Sequence, residues 1–168
     1  MRGLKAMGHM MMETIHVRPI ALELSWGAES LKRIRLSWSE PGEADQPLTA
    51  EGAAVKRCLE KYLASGSVQW PDIPLGWEGL PHFSRRVLQT LKGEVEAGCW
   101  ISYSGLAARS GSPGAARAVG GVMRLNPWPL IVPCHRVLSK GKGLGGFSSG
   151  LDLKHYLLRL EGVSLSSR

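Results

Sequence analysis

No stretch of this chain approaches the roughly 20 consecutive apolar residues that a membrane-spanning helix requires, although 43% of its residues are hydrophobic. A membrane protein is therefore not expected. The methionine-rich start, Met1 to Met12, lacks the apolar core and small-residue cleavage site of a secretory signal, and is expected to be a disordered leader. Cysteine is scarce: Cys58, Cys99 and Cys134 are an odd number and contain no Cys-x-x-Cys pair. That argues against a disulfide framework and against a zinc cluster, and it favours a reducing, cytoplasmic setting in which a thiol can be kept for chemistry. Repeats and low-complexity tracts are also missing, and 168 residues suffice for one domain or for two small ones sharing a core.

Acidic residues are in deficit, 14 against 21 Lys and Arg, for a net charge of +7. The deficit is uneven. Up to Trp77 nine basic residues balance nine acidic ones, whereas from Glu78 onward 12 face 5. A basic half beside a neutral half suits a polyanionic partner, though charge alone fits a generic solubilising surface equally well.

Thr14 to Ser25 and Leu31 to Ser39 are rich in β-branched and apolar residues, with a hairpin turn expected at Gly27 to Ser30. Pro41 to Pro47 reads as a polar loop. From Thr49, a good N-cap, Val55, Cys58, Leu59, Tyr62 and Leu63 recur at helical spacing as far as Gly66, which makes Cys58 a core residue by expectation. Trp70 to Pro81, with three prolines and two glycines, reads as a linker, so the expected domains are 1–77 and 78–168. A further helix follows, with Phe83, Val87, Leu88 and Leu91 on one face.

Ile101 to Arg124 has helix-turn-helix spacing: a short helix capped by Ser104, a tight turn at Ser110 to Pro113, and a second helix to about Leu125. The second helix is small-sided, with Ala115, Ala116, Ala118, Gly120 and Gly121. Each glycine costs a helix about 1 kcal/mol relative to alanine. Close approach by a phosphate backbone or groove wall would repay that, and so would tight helix packing. After Asn126-Pro127, Leu130 to Val132 reads as a short strand leading into Pro133-Cys134-His135-Arg136-Val137. A Gly/Ser/Lys loop, Ser139 to Gly150, precedes a last helix with Leu153, Tyr156, Leu157 and Leu160 on its buried side, ending at Glu161-Gly162.

A thiol is nucleophilic as thiolate, and a nearby base or positive field makes it so. His135 adjoins Cys134, but neighbouring side chains on an extended segment diverge, so contact needs a sharp turn or a bridging water. A lone Cys-His dipeptide is weak; its surroundings are specific. Pro133 to Val137, preceded by Arg117-Ala118-Val119-Gly120-Gly121 and Asn126-Pro127, resembles the signature of the O6-alkylguanine-DNA alkyltransferase family. The resemblance continues through Gly145-Gly146-Phe147-Ser148-Ser149-Gly150, Lys154, Leu157-Leu158 and Glu161-Gly162, and upstream through Ile101-Ser102-Tyr103 and Leu106-Ala107. It covers about Phe83 to Val163 and is weak before that.

The resemblance implies an α+β fold: an N-terminal α/β lobe with a small antiparallel, ribonuclease H-like sheet, and a mainly helical C-terminal lobe with a winged helix-turn-helix. It implies irreversible transfer of an alkyl group from O6-alkylguanine in double-stranded DNA to Cys134, by a monomer working at the nucleoid. His135 would take the thiol proton through a water, and Glu161 would fix the His135 tautomer, as in hydrolytic triads. Tyr103 would donate to guanine N3, Asn126 would act as a hydrogen-bonded hinge, and Arg136 would form an ion pair within the lobe. Arg117 would fill the stack vacated by a flipped nucleotide, with Ala116, Ala118, Gly120, Tyr103 and Arg124 against DNA in the minor groove. Met123, Val137, Phe147, Ser148 and Ser149 would line the base pocket. No cofactor is implied, and the N-terminal lobe has no Cys/His set for the structural zinc of some relatives, so no metal is expected. Phe147 stands where many relatives carry Tyr, and Ser149 where Gly-Gly usually begins, which narrows the pocket.

Two rival classes remain at this level. A DNA-binding protein that flags lesions without repairing them would lack the acceptor thiol, whereas Cys134 is present. A Cys-His hydrolase would turn over, whereas an alkyl thioether has no easy exit from sulfur.

Overall fold

The computed structural model describes residues 10–46 and 48–165. Three antiparallel strands open it: β1 (Met11–Val17), β2 (Ile20–Trp26) and β3 (Leu31–Trp38), in that order across the sheet. Period-2 alternation sends Ile15, Leu22, Leu24, Ile34 and Leu36 to the core face and leaves Arg33 and Arg35 on the other. The Gly27 to Ser30 turn forms as expected, Gly27 N donating to Ser30 O at 2.8 Å.

The segment Thr14 to Ser25 is two strands rather than one, because Arg18-Pro19 turns the chain so that Val17 pairs with Ile20. That ladder runs back to Met11 opposite Trp26, so Met11 and Met12 are strand residues and not part of a disordered leader. The rest of the expected leader, residues 1–9, lies outside the described residues.

Helix α1 (Ala50–Ser65) is capped by Thr49, whose hydroxyl accepts from Gly52 N at 3.0 Å. It ends at Gly66 with φ +74, where a Cβ would sit 2.2 Å from the Leu160 carbonyl oxygen. Only glycine satisfies both conditions. Val55, Leu59 and Tyr62 bury the helix against the sheet, but Cys58 sits at the edge of that stripe. It is half-buried, with its thiol 3.6 Å from the Gln69 carbonyl, and so is not the core residue expected. The Pro-rich stretch after it is irregular yet packed: Ile73 and Leu75 are buried, and Leu31 exchanges backbone bonds with Pro74 and Gly76.

Helix α2 (His82–Glu94) buries Val87, Leu88 and Leu91. Strand β4 (Ile101–Ser102), helix α3 (Tyr103–Arg109) and helix α4 (Ala116–Arg124) follow. The cap of α3 is Ser102, not Ser104: the chain turns one residue pair earlier, and the Ser102 hydroxyl accepts from Gly105 N at 3.0 Å. Leu130 to Val132 is a turn rather than a strand. Asn126 bonds across it, from Nδ2 to the Val132 carbonyl (2.8 Å) and from Trp128 N to Oδ1 (3.1 Å), and Leu130 is held at φ +72. That left-handed conformation is costly for leucine. A 3-10 turn over Cys134–Arg136 leads into β5 (Val137–Leu138), which pairs in parallel with β4, and α5 (Leu151–Leu160) closes the chain.

The result is a mixed α+β fold whose main buried core runs from Ile15 to Leu157, with a small second cluster of Leu138, Leu158 and Val163. No helix among the described residues is long and apolar enough to cross a membrane.

Candidate active site and nucleic-acid face

Cys134 and His135 sit in the 3-10 turn that follows the Asn126-braced loop, both buried. His135 reaches the end of α5: its Nε2 lies 2.8 Å from Glu161 Oε1. The Glu161 side chain is completely buried and heavily hydrogen-bonded. Oε1 also accepts from the Tyr62 hydroxyl (2.7 Å) and Arg136 Nη2 (2.9 Å), and Oε2 accepts from Arg136 Nε (2.9 Å) and Gly98 N (3.4 Å). Burial alone would push this carboxyl up, but the bonds and charges of His135 and Arg136 outweigh it and hold it at about 2. It is therefore an ionised acceptor, which requires the proton of neutral His135 to be on Nε2. Nδ1 is left with its lone pair, buried and without a hydrogen-bond partner among the described residues.

The Cys134 thiol and the His135 imidazole both rest in neutral forms. Burial raises the Cys134 thiol, against the lowering effects of Asn126, the Lys154 charge and the local backbone N–H groups. Burial lowers His135 despite its carboxylate partner, with the Arg136 and Lys154 charges adding to the effect. A neutral imidazole next in sequence to a neutral thiol is chemically able to accept a proton from it, directly or through a water.

Lys154 is the nearby cation. Fully buried on the apolar side of α5, it donates to the carbonyls of Val137 (2.7 Å) and Gly146 (3.4 Å), and desolvation lowers it to about 8.

A pocket of about 650 Å³ is lined by Tyr103, Ala116, Arg117, Gly120, Met123, Arg124, Phe147 and Ser148, together with Ser139, Gly145 and Gly146; the buried Cys134 thiol does not line it but couples electrostatically to Tyr103, which does. Burial raises the Tyr103 phenol, against a hydrogen bond to Gly146 that lowers it, so it stays a protonated donor. Gly145, at φ +63, lets the loop press onto that ring, since a Cβ there would meet the Tyr103 hydroxyl oxygen at 2.7 Å. Of the expected pocket residues, Val137 is instead fully buried beneath, and Ser149 lines an adjoining groove. Ala118 is exposed on α4 outside the pocket.

The small-sided face of α4 is open. A Cβ added at Gly121 would meet nothing within 4 Å, and one at Gly120 would touch only the Tyr103 ring at 4.0 Å. Internal packing therefore does not explain these glycines, which leaves close approach from outside. Arg117 and Arg124 flank this face, both exposed.

Two groups that hold Glu161 were not recognisable as such in the sequence. Tyr62 reads as core by helical spacing, and its carboxylate partner is 99 residues away. Gly98 contributes only a backbone N–H. Lys154 did leave a signal, a charged residue inside the apolar stripe of Leu153, Leu157 and Leu158.

The arrangement combines a buried cysteine, followed at once by a histidine paired with a carboxylate, with the exposed, basic face of α4. Residues 82–163 match the family model for the 6-O-methylguanine DNA methyltransferase DNA-binding domain. The human methylated-DNA–protein-cysteine methyltransferase is 51% identical over 83 residues, 49% of this chain and 40% of that protein. The Haemophilus influenzae protein of the same name is 41% identical over 110 residues, 65% and 60% of the two chains. These matches thus span less than two thirds of either relative. The Mycobacterium tuberculosis OGT crystallised in complex with DNA superposes with a TM-score of 0.72 at 30% identity, over 90% of this chain and 92% of that one. The chain belongs to the 6-O-methylguanine DNA methyltransferase family.

Proposed function

We propose that this chain repairs DNA by direct reversal, moving the alkyl group of O6-alkylguanine irreversibly to Cys134 in a single turnover. The observation that carries the reading is the buried Cys134–His135 turn, in which His135 is bonded to an ionised Glu161 and keeps Nδ1 unbonded among the described residues, close to a pocket beside α4 whose Tyr103 couples to Cys134.

The nucleotide is rotated out of the duplex through the minor groove, and Arg117 fills the gap in the stack. Met123, Phe147 and Ser148 surround the base, with Val137 buried behind them and Ser149 in the adjoining groove. Sγ attacks the alkyl carbon; the S–C bond forms as the O6–C bond breaks. The thiol proton passes through a water to His135 Nδ1, while Glu161 holds Nε2 and balances the imidazolium. The bonding electrons return to guanine, and Tyr103 donates to N3. The Lys154 charge favours sulfur as thiolate during this step. Asn126 keeps the loop beneath Cys134 in register. No exit from the thioether is provided, so the reaction runs once per chain.

We read residues 1–77 as a ribonuclease H-like α/β lobe and 78–168 as a winged helix-turn-helix lobe, with α3 and α4 as the motif and the β4–β5 pair beside it. One chain supplies the acceptor, the relay and the DNA-facing helix, so a monomer suffices, and its substrate assigns its work to the nucleoid. A titration of protein against methylated duplex tests the reading. Wild type should remove at most one methyl per molecule, and Cys134→Ser should bind the duplex yet remove none. Repair of lesions in excess of protein would falsify it.

A further inference from the structure

The N-terminal part is neutral in sum but not in distribution. Of its nine acidic residues, Asp45 is committed to Lys56, Glu43 to His16, and Glu13 to Trp26 and Thr49 inside the fold. Only Glu23 reaches the groove that runs between the open face of the sheet and the end of α4. That groove, of about 880 Å³, is lined from β3 by Lys32, Arg33 and Arg35 and from the other side by Arg124, Asn126 and Ser149. Lys32 is paired with Glu78 outside it. Arg33 lies opposite Ser25 and Arg35 opposite Glu23 across the β2–β3 ladder, and both arginines are exposed. Arg124 and Ser148 line this groove and the base pocket alike, so the two adjoin.

We propose that the open sheet face is a second DNA-binding surface, in which Arg33 and Arg35 take backbone phosphates of the strand that runs on from the base pocket past Arg124. The inference rests on the DNA-repair reading above. Two features favour a polyphosphate as occupant: fixed positive charge with a single carboxylate nearby, and adjacency to the surface on which the small-sided α4 receives DNA. Phosphate contacts of this kind carry no sequence information; they add affinity and fix orientation. An N-terminal lobe that differs from its relatives in sequence would then set how firmly this chain holds DNA on one side of a lesion.

The test measures binding of unmodified duplex by wild type, Arg33→Ala, the Arg33→Ala/Arg35→Ala pair, and an Arg57→Ala/Lys61→Ala control on α1, beyond the far face of the sheet. Each phosphate contact contributes about 0.9 to the slope of log affinity against log salt. The single variant should lose about one from that slope and the pair about two, with the control unchanged. Wild type should also gain affinity as the duplex is lengthened on one side of the site, and the pair should not. Arg33 has no acid opposite it, so loss in the single variant cannot come from an uncovered Glu23. If wild type binds duplex with a steep salt dependence but the pair keeps its slope and length dependence, the groove assignment is overturned and the repair reading stands. If wild type itself shows no salt-dependent binding, both fail.

Discussion

Tyr62→Phe removes one of three donors from Glu161 Oε1 and leaves the other two, His135 Nε2 and Arg136 Nη2, in place. The change is small in volume and uncovers no unpaired polar atom, because Phe keeps the ring and the carboxylate stays ionised on Arg136. Glu161→Gln is a coarser cut: it would strand the buried Arg136 without its charge partner, a loss of about 3–5 kcal/mol that threatens the fold. A hydrogen bond to a charged group contributes about 1.5–3 kcal/mol. Should half of that go into fixing the position from which His135 takes the proton, rather than into its charge, transfer slows by about four- to twelvefold. The carboxylate, relieved of one donor, also becomes more basic and raises His135, so the acid limb of the rate–pH profile should move to higher pH. The assay is single-turnover transfer from methylated duplex across pH, beside equilibrium binding of the same duplex. Slower transfer with a shifted acid limb and unchanged binding is expected. A variant that melts earlier but transfers at the wild-type rate, with the wild-type profile, would show that Tyr62 only packs.

The same profile should have an alkaline limb. Lys154, lowered to about 8, loses its charge above that pH and with it the field that favours the thiolate; Lys154→Met should slow transfer and abolish that limb, and a wild-type profile in the variant would contradict this. The Glu161 carboxyl, held at about 2 against 4.5 when unfolded, contributes about 3 kcal/mol of stability. Because its folded value is depressed, that contribution is complete above 4.5 and fades as pH falls toward 2, so acid should lower the melting temperature steeply in this window, and a flat curve would refute the assignment. For Arg117, transfer by wild type, Arg117→Lys and Arg117→Ala is compared on duplex, single strand and free O6-methylguanine. A finger that replaces the flipped base predicts the largest loss on duplex, least on the free base, and no rescue by Lys; equal fractional losses would make it a pocket residue.

The parts of the fold that local rules govern were legible in the sequence. Thr49 and Gly66 bound α1, and the helix-turn-helix spacing located α3 and α4, because caps and apolar periodicity act within a few residues. Leu130 to Val132 misled for a physical reason: an apolar triplet is compatible with a strand, and the Asn126 side chain that bends it into a turn exerts its effect through tertiary geometry. Cys58 was placed in the core by a spacing rule that does not resolve the edge of a stripe from its centre. At the site, the motif located Cys134, His135 and Glu161, but neither motif nor periodicity could find the Tyr62 hydroxyl. The basic groove was hidden similarly, since a neutral charge sum over 1–77 conceals which face the arginines occupy.

The central claim is that Cys134 accepts the alkyl group. Intact-mass analysis after incubation with an oligonucleotide containing O6-methylguanine tests it directly, followed by peptide mapping. One added methyl per chain, on Cys134 and on neither Cys58 nor Cys99, is the predicted result. An unchanged mass while the lesion disappears, or a methyl on another residue, would contradict it.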